Sequence, residues 1–188
     1  FSSGAQQSGQ RPMNFLDVQL MRSAQSLALS PDGRWALYAL SVPDWKEARS
    51  TTDIWLVSAE RGSGSARQLT FTKDKSESQP TWSSDGSFFV FASNREAPSE
   101  SAAQNQLYIM RADGGESRRI TDAKDGVAQF AFTSDRTWLV YGAGKAEDRQ
   151  LWALPVAGID SAAPVQLTKH ATPVGSWQLS RDGSRVFF

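Results

Sequence analysis

Leu27-Ala28-Leu29-Ser30-Pro31-Asp32-Gly33 is a short apolar run closed by an Asp-Gly turn, and the block recurs three times along the chain. The copies are Thr81-Trp82-Ser83-Ser84-Asp85-Gly86, Ala131-Phe132-Thr133-Ser134-Asp135-Arg136 and Gln178-Leu179-Ser180-Arg181-Asp182-Gly183. The turn aspartates Asp32, Asp85, Asp135 and Asp182 stand 53, 50 and 47 residues apart. A period near 50 built from strand signals rather than helix signals predicts a β-propeller with one blade per repeat. Propellers close with about four to eight blades. The 188 residues supply three blades and the opening of a fourth, so an all-β, incomplete propeller of about three and a half four-stranded blades is expected.

Working outward, each full repeat supplies four strand candidates. In the first these are Ser26–Leu29, Trp35–Leu40, Asp53–Ser58 and Arg67–Phe71. The second gives Thr81–Ser83, Phe88–Ser93, Gln106–Arg111 and Arg118–Thr121. The third gives Gln129–Thr133, Trp138–Gly142, Gln150–Pro155 and Val165–Thr168. Ile54-Trp55-Leu56, Leu107-Tyr108-Ile109 and Leu151-Trp152-Ala153 align, as do Gln68-Leu69-Thr70, Arg119-Ile120-Thr121 and Gln166-Leu167-Thr168. The blades are thus placed at about 26–72, 79–122 and 128–170, with a fourth opening at 176–188. The second strands Phe88-Phe89-Val90-Phe91 and Trp138-Leu139-Val140-Tyr141 lack alternation, which predicts cover on both faces, as in stacked blades.

The Asp-Gly turns have a mechanical reading: Asp accepts from nearby backbone N–H groups and Gly takes the positive-φ position. In the third copy Arg136 replaces Gly, so that turn is either strained by about 1 kcal/mol or built differently. The calcium-loop spacing D-x-[DN]-x-[DN]-G is absent from every copy, so no metal is expected. Residues 1–12 are rich in Ser, Gly and Gln and read as a flexible tail. The segment 13–25 reads as a lead-in to the first blade. Within it Asn14 can cap a short helix, Asp17 can reach back to it, and Leu16 and Leu20 lie one turn apart, ready to pack on that blade.

Composition excludes several classes. Lys+Arg and Asp+Glu are both 20, giving zero formal net charge, so neither a nucleic-acid nor a membrane partner is indicated. Cysteine is absent, which removes disulfides and thiolate metal sites. No run approaches the ~18 apolar residues of a membrane-spanning helix. The chain does not begin with Met, and a periplasmic or secreted location is the expectation, with a cytoplasmic one as the alternative.

Catalytic chemistry is hard to find. No G-x-S-x-G elbow occurs, and His170, read as a loop residue, is the single histidine around which a Ser-His-Asp set could be built. Gly142-Ala143-Gly144-Lys145 fails the phosphate-loop pattern because Ala146 follows the lysine. Arg61-Gly62-Ser63-Gly64-Ser65 reads as a turn. Neither a catalytic residue nor a cofactor is expected within the chain. Two insertions between second and third strands offer recognition surface, Val42–Arg49 and Asn94–Pro98. Their candidate residues are Trp45, Arg49, Asn94, Arg95 and Glu96, since loops on rigid scaffolds often carry recognition. Packing of Trp45 back on its own blade is the competing reading.

Arg11-Pro12-Met13-Asn14-Phe15, Pro43-Asp44-Trp45-Lys46, Asp53-Ile54-Trp55-Leu56-Val57, Gln68–Lys75 and Ser93-Asn94-Arg95-Glu96-Ala97-Pro98 resemble the N-terminal propeller of prolyl oligopeptidase-family serine peptidases. The bacterial acylaminoacyl-peptidase-like and dipeptidyl-peptidase-like members are the nearest in character. The resemblance runs from Arg11 to Phe188. It implies a propeller that covers the active site of a C-terminal α/β-hydrolase domain and admits short peptides. The expected partners are therefore a short peptide substrate, the remaining blades and the hydrolase domain, in the same polypeptide or a second chain. Dipeptidyl peptidases hold the substrate amine with paired glutamates, and no Glu-Glu pair occurs here. Tol–Pal-type propellers share the Ser-Pro-Asp-Gly repeat, so a non-catalytic protein-binding scaffold is the alternative. The chain stops at a second strand, Ser184-Arg185-Val186-Phe187-Phe188, whose unpaired apolar edge calls for further blades.

Overall fold

A computed structural model describes residues 11–97 and 104–188; the expected tail at 1–12 lies almost wholly outside these, as does Pro98 of the second insertion. Three four-stranded antiparallel sheets follow one another in sequence order. The first holds β1 (Ser23–Leu29), β2 (Trp35–Asp44), β3 (Arg49–Ser58) and β4 (Gly62–Gln68). The second holds β5 (Glu77–Trp82), β6 (Phe88–Ser93), β7 (Gln106–Arg111) and β8 (Arg118–Arg119). The third holds β9 (Val127–Phe132), β10 (Trp138–Ala143), β11 (Gln150–Pro155) and β12 (Val165–Gln166). A two-stranded sheet, β13 (Gln178–Leu179) with β14 (Val186–Phe187), ends the chain. This is the propeller repeat expected from the sequence.

Period 2 explains why the second strands are apolar throughout. On β6, Phe89 and Phe91 point into a cluster with Leu37, Ile54 and Leu56 of the first blade, while Val90 and Ala92 point into another with Val127 and Leu139 of the third. On β10, Leu139 and Tyr141 face the second blade and Val140 faces Val174 and Trp177. Each hydrophobic cluster is therefore a seam between neighbouring blades. Burial of a Phe or Leu side chain in such a seam contributes about 1.5–3 kcal/mol, so the blades hold one another.

The Asp-Gly turns are alike. Each Asp accepts from the hydroxyl two residues before it and from the backbone N–H two residues after it, for example Ser83 Oγ at 2.7 Å and Ser87 N at 3.1 Å on Asp85. These bonds hold Asp32, Asp85, Asp135 and Asp182 below the usual carboxylate range, Asp182 at about 2. Gly33, Gly86 and Gly183 take φ of 70°, 70° and 73°, and Arg136 takes 58° at the same place. The third turn is thus built like the others and carries the strain of a side chain in the left-handed region. The guanidinium of Arg136 offsets it by donating to the Trp82 carbonyl of the preceding blade.

Three expectations are corrected. The helix α1 (Phe15–Gln19) forms with Asn14 and Asp17 as a reciprocal cap, but it buries no residue, and Phe15 is 73% exposed; it does not pack on the first blade. Gly62–Ser65, read as turn, belong to β4, with Gly62 paired to Ser58. Val42–Asp44, read as loop, continue β2, so that the β2–β3 hairpin pairs all the way to Asp44 and Arg49. Pro43 is tolerated there because the pairing of β2 with β1 ends at Ser41, leaving no ladder bond for the missing N–H to break.

Candidate functional site

The connections between second and third strands, and those leading from one blade to the next, lie on one rim of the stacked blades. All five sequence candidates are on it. Trp45 sits at the tip of the β2–β3 hairpin, 63% exposed, with the Lys46 ammonium 5.8 Å from its ring centre. The Arg49 guanidinium is paired with Asp74, in the segment joining β4 to β5. That segment also receives the second candidate loop: Asn94 Oδ1 accepts from Ser76 N at 2.8 Å, and Lys75 Nζ donates to Ala97 O at 2.6 Å. Thr52 of the hairpin bridges Ser76. Residues 70–77 thus stitch the two insertions together.

Arg95 and Glu96 are both engaged by other parts of the chain, Glu96 at the exposed surface and Arg95 turned inward. Glu96 pairs with Arg119 at 2.7 Å. The Arg95 side chain is turned inward, its guanidinium 4.5 Å from the Tyr108 ring centre and 5.4 Å from that of Phe91. It donates to Ser117 Oγ and, at 3.0 Å, to Oε1 of Glu77. Glu77 is wholly buried. Its Oε1 also accepts from Thr72 Oγ1 and from Ser93 Oγ at 3.2 Å, whereas Oε2 has no hydrogen-bond partner among the described residues. The Tyr108 hydroxyl, also buried, has none either, and burial together with the charge of Glu96 pushes its pKa up.

Asp53, at the beginning of the aligned stretch of β3, completes the cluster. Its counterparts in the other blades are glutamines that do one job. Gln106 Oε1 accepts from Thr121 Oγ1 at 2.8 Å and from Ala123 N at 3.0 Å. Gln150 Oε1 accepts from Thr168 Oγ1 at 2.9 Å and from His170 N at 3.0 Å. Asp53 attempts the same with a shorter side chain and reaches Thr70 Oγ1 only at 3.4 Å. It lies against Glu77, and burial first, then that neighbouring carboxylate, push its pKa up to about 6. Glu77 likewise breaks the repeat: the residues eight before the turn aspartates of the next two repeats are Val127 and Val174, both buried.

The candidate cluster is Asp53, Glu77 and Arg95, with the Arg95 guanidinium over the Tyr108 ring. Of these only Arg95 stands out from the loop composition. Asp53 and Glu77 become visible when the blades are aligned residue by residue. The isolated histidine, His170, packs against Phe188 with ring centres 5.3 Å apart and the planes tilted by 43°, away from the cluster. Among the described residues no three His, Asp or Glu side chains are grouped as for a metal ion.

No protein-family model matches the chain. An uncharacterized peptidase of Bacillus subtilis (strain 168), YuxL, is 28% identical over 152 residues, covering 80% of this chain and 22% of the relative. A dipeptidyl-peptidase 5 of Porphyromonas endodontalis is 25% identical over 150 residues, covering 77% of this chain and 20% of the relative. The chain is similar to the propeller of a prolyl oligopeptidase-family peptidase. Among solved structures, TolB from Acinetobacter baumannii superposes with a TM-score of 0.61 at 18% identity, over 86% of this chain and 36% of that one. The β-propeller domain of the trilobed protease from Pyrococcus furiosus gives 0.56 at 14% identity, over 79% and 43%. At these identities the structures establish the propeller fold. The chain spans about a fifth of the length of the curated relatives it matches.

Proposed function

We propose that this chain is the substrate-gating portion of the propeller of a prolyl oligopeptidase-family serine peptidase, with the catalytic α/β-hydrolase domain carried outside it. The observation that carries the reading is the similarity to a peptidase along 80% of the chain. The chain's own chemistry agrees with a gating role. It has no nucleophile elbow and one histidine, so hydrolysis must be done elsewhere, while its rim presents an extended hairpin with an exposed tryptophan. On this reading the hairpin and the loop after β6 border the path of a short peptide, and the buried cluster keeps them in register.

The test is a fluorophosphonate probe and a panel of short peptides applied to the full-length protein and to this chain alone. The full-length protein is expected to be labelled on a serine outside these residues and to cleave short peptides. The chain alone is expected to do neither. Absence of labelling and of cleavage in the full-length protein refutes the reading. It would favour the second one, a non-catalytic protein-binding scaffold, which draws support from the TM-score of 0.61 with TolB.

A further inference from the structure

The three blades are built from one repeat, so each is a control for the others, and one seam departs from the pattern. Where β7 and β11 open on Gln106 and Gln150, β3 carries Asp53. Where β9 and the segment before β13 carry Val127 and Val174, β5 carries Glu77. Both replacements are acidic, and they meet at the seam of the first and second blades. Glu77 has no exposed surface, and one of its carboxylate oxygens, Oε2, is unpartnered among the described residues. A buried acceptor left without a donor costs about 1–3 kcal/mol. The hydroxyls of Thr72 and Ser93 and the Arg95 guanidinium all go to Oε1. Among the described residues the Asp53 carboxyl lies beside Glu77. Thr52 bridges Ser76, which brings the next residue of each segment together, and Thr70 and Thr72 of one segment donate to Asp53 and Glu77 in turn. The Asp53 carboxyl can bond that of Glu77 only when one of the two carries a proton.

We infer that Asp53 and Glu77 are a proton-sharing carboxyl pair that makes the seam between the first two blades, and the hairpin rising from β3, responsive to pH. With one proton the pair bears a single negative charge. Arg95 matches that charge and the shared proton satisfies the orphan oxygen. Without it two neighbouring carboxylates share the seam with one cation, Arg95, which is bonded to Glu77. The groups around the pair come from every element packed on it: Thr70 and Thr72 from the β4–β5 segment, Ser93 from β6, Arg95 from the following loop and Tyr108 from β7, with Glu96 acting on Tyr108. Residues 70–77 also hold Arg49 through Asp74 and Asn94 through Ser76. Repulsion at Glu77 is therefore transmitted to both rim insertions. This inference stands whether or not the protein is a peptidase.

The direction follows from linkage. Asp53 holds its proton to higher pH in the folded chain than in the unfolded one, so its contribution is full below about pH 4 and is lost as pH rises past about 6. A shift of that size corresponds to at most about a hundredfold in the unfolding equilibrium. Asp53 is only partly buried, and screening reduces this to roughly tenfold. The experiment is urea unfolding of the full-length protein from about pH 4 to pH 8, for wild type, Asp53→Asn and Glu77→Gln, with amide exchange at Ser76 and a carbon-13 carboxyl titration of wild type. The wild-type unfolding constant is expected to rise roughly tenfold more than that of either variant across the window, with Ser76 exchange rising in step. Parallel profiles for wild type and Asp53→Asn overturn the inference. Should either variant fail to fold, the carboxyl titration decides: an Asp53 midpoint in the ordinary carboxylate range overturns it, and a midpoint near 6 supports it.

Discussion

Replacing Arg95 by methionine removes the charge at the centre of the rim while keeping most of the side chain's length. What it leaves behind is Glu77, fully buried, with two hydroxyl donors and no cation. Breaking a buried pair from one side costs about 3–5 kcal/mol, because the remaining charge is uncompensated. Loss of the guanidinium from the Tyr108 face at 4.5 Å adds about 1 kcal/mol. For a domain of this size each kcal/mol lowers Tm by about 2–4 °C, so a fall of roughly 10 °C is expected. Glu77→Val alone installs the residue that Val127 and Val174 hold in the later repeats, but it leaves Arg95 without its carboxylate. The double variant Arg95→Met with Glu77→Val converts the seam to the apolar form of its neighbours. It should cost no more than about 1 kcal/mol, since a hydrophobic replacement of a whole buried pair is often neutral. A double-mutant cycle by urea unfolding, followed by tryptophan fluorescence, therefore should show a coupling of about 2–4 kcal/mol. If the two single costs simply add in the double variant, Arg95 and Glu77 are not a pair, and the account of this seam fails.

Trp45→Ala should leave stability within about 0.5 kcal/mol, since the ring is exposed, while changing the ratio of kcat/KM between peptides in the full-length protein; a large drop in melting temperature with unchanged selectivity would make it a packing residue. At Arg136 the order of stability in urea should be wild type, then Gly, then Ala. Glycine relieves about 1 kcal/mol of left-handed strain but loses the charged donor to the Trp82 carbonyl, worth about 1.5–3 kcal/mol, and alanine loses the donor while keeping the strain. Gly126→Ala should destabilise by more than about 2 kcal/mol, because φ there is 82° and a Cβ would stand 2.9 Å from Gln104 Cα; thermal unfolding checks it.

The repeat was legible because three constraints fall on the same residues: the turn needs a hydroxyl, an Asp and a positive φ at fixed spacing, and the strands on either side must be apolar. Second strands such as Phe88–Ser93 stood out because alternate residues serve two seams, which leaves no polar face. The hairpin extension was hidden by Pro43 and Asp44, which read as turn residues. A proline is acceptable there only because β1 stops short, and that is a tertiary fact. The outlying helix was legible as a capped turn, but nothing local says whether Leu16 and Leu20 find a surface to cover.

Asp53 and Glu77 illustrate a different kind of concealment. An Asp at the start of a strand and a Glu before a tryptophan hairpin are unremarkable in composition, and neither sits in a motif. Their meaning comes from what the same positions do elsewhere in the chain. A glutamine at the first position of the third strand satisfies a threonine hydroxyl and a backbone N–H at once without charge, in two blades out of three. An Asp there gives a longer bond to Thr70 and a charge that must be accommodated, and the seam accommodates it with a second acid and an arginine rather than with a valine. Stability alone does not favour that choice, because the apolar version is present in the same chain and fills its seams well. The polar version coincides with the one seam whose rim carries both insertions, braced through residues 70–77. In a repeat protein a costly departure confined to one interface is the physical mark of a position shaped by something other than the fold, and here it points to the rim of the first two blades.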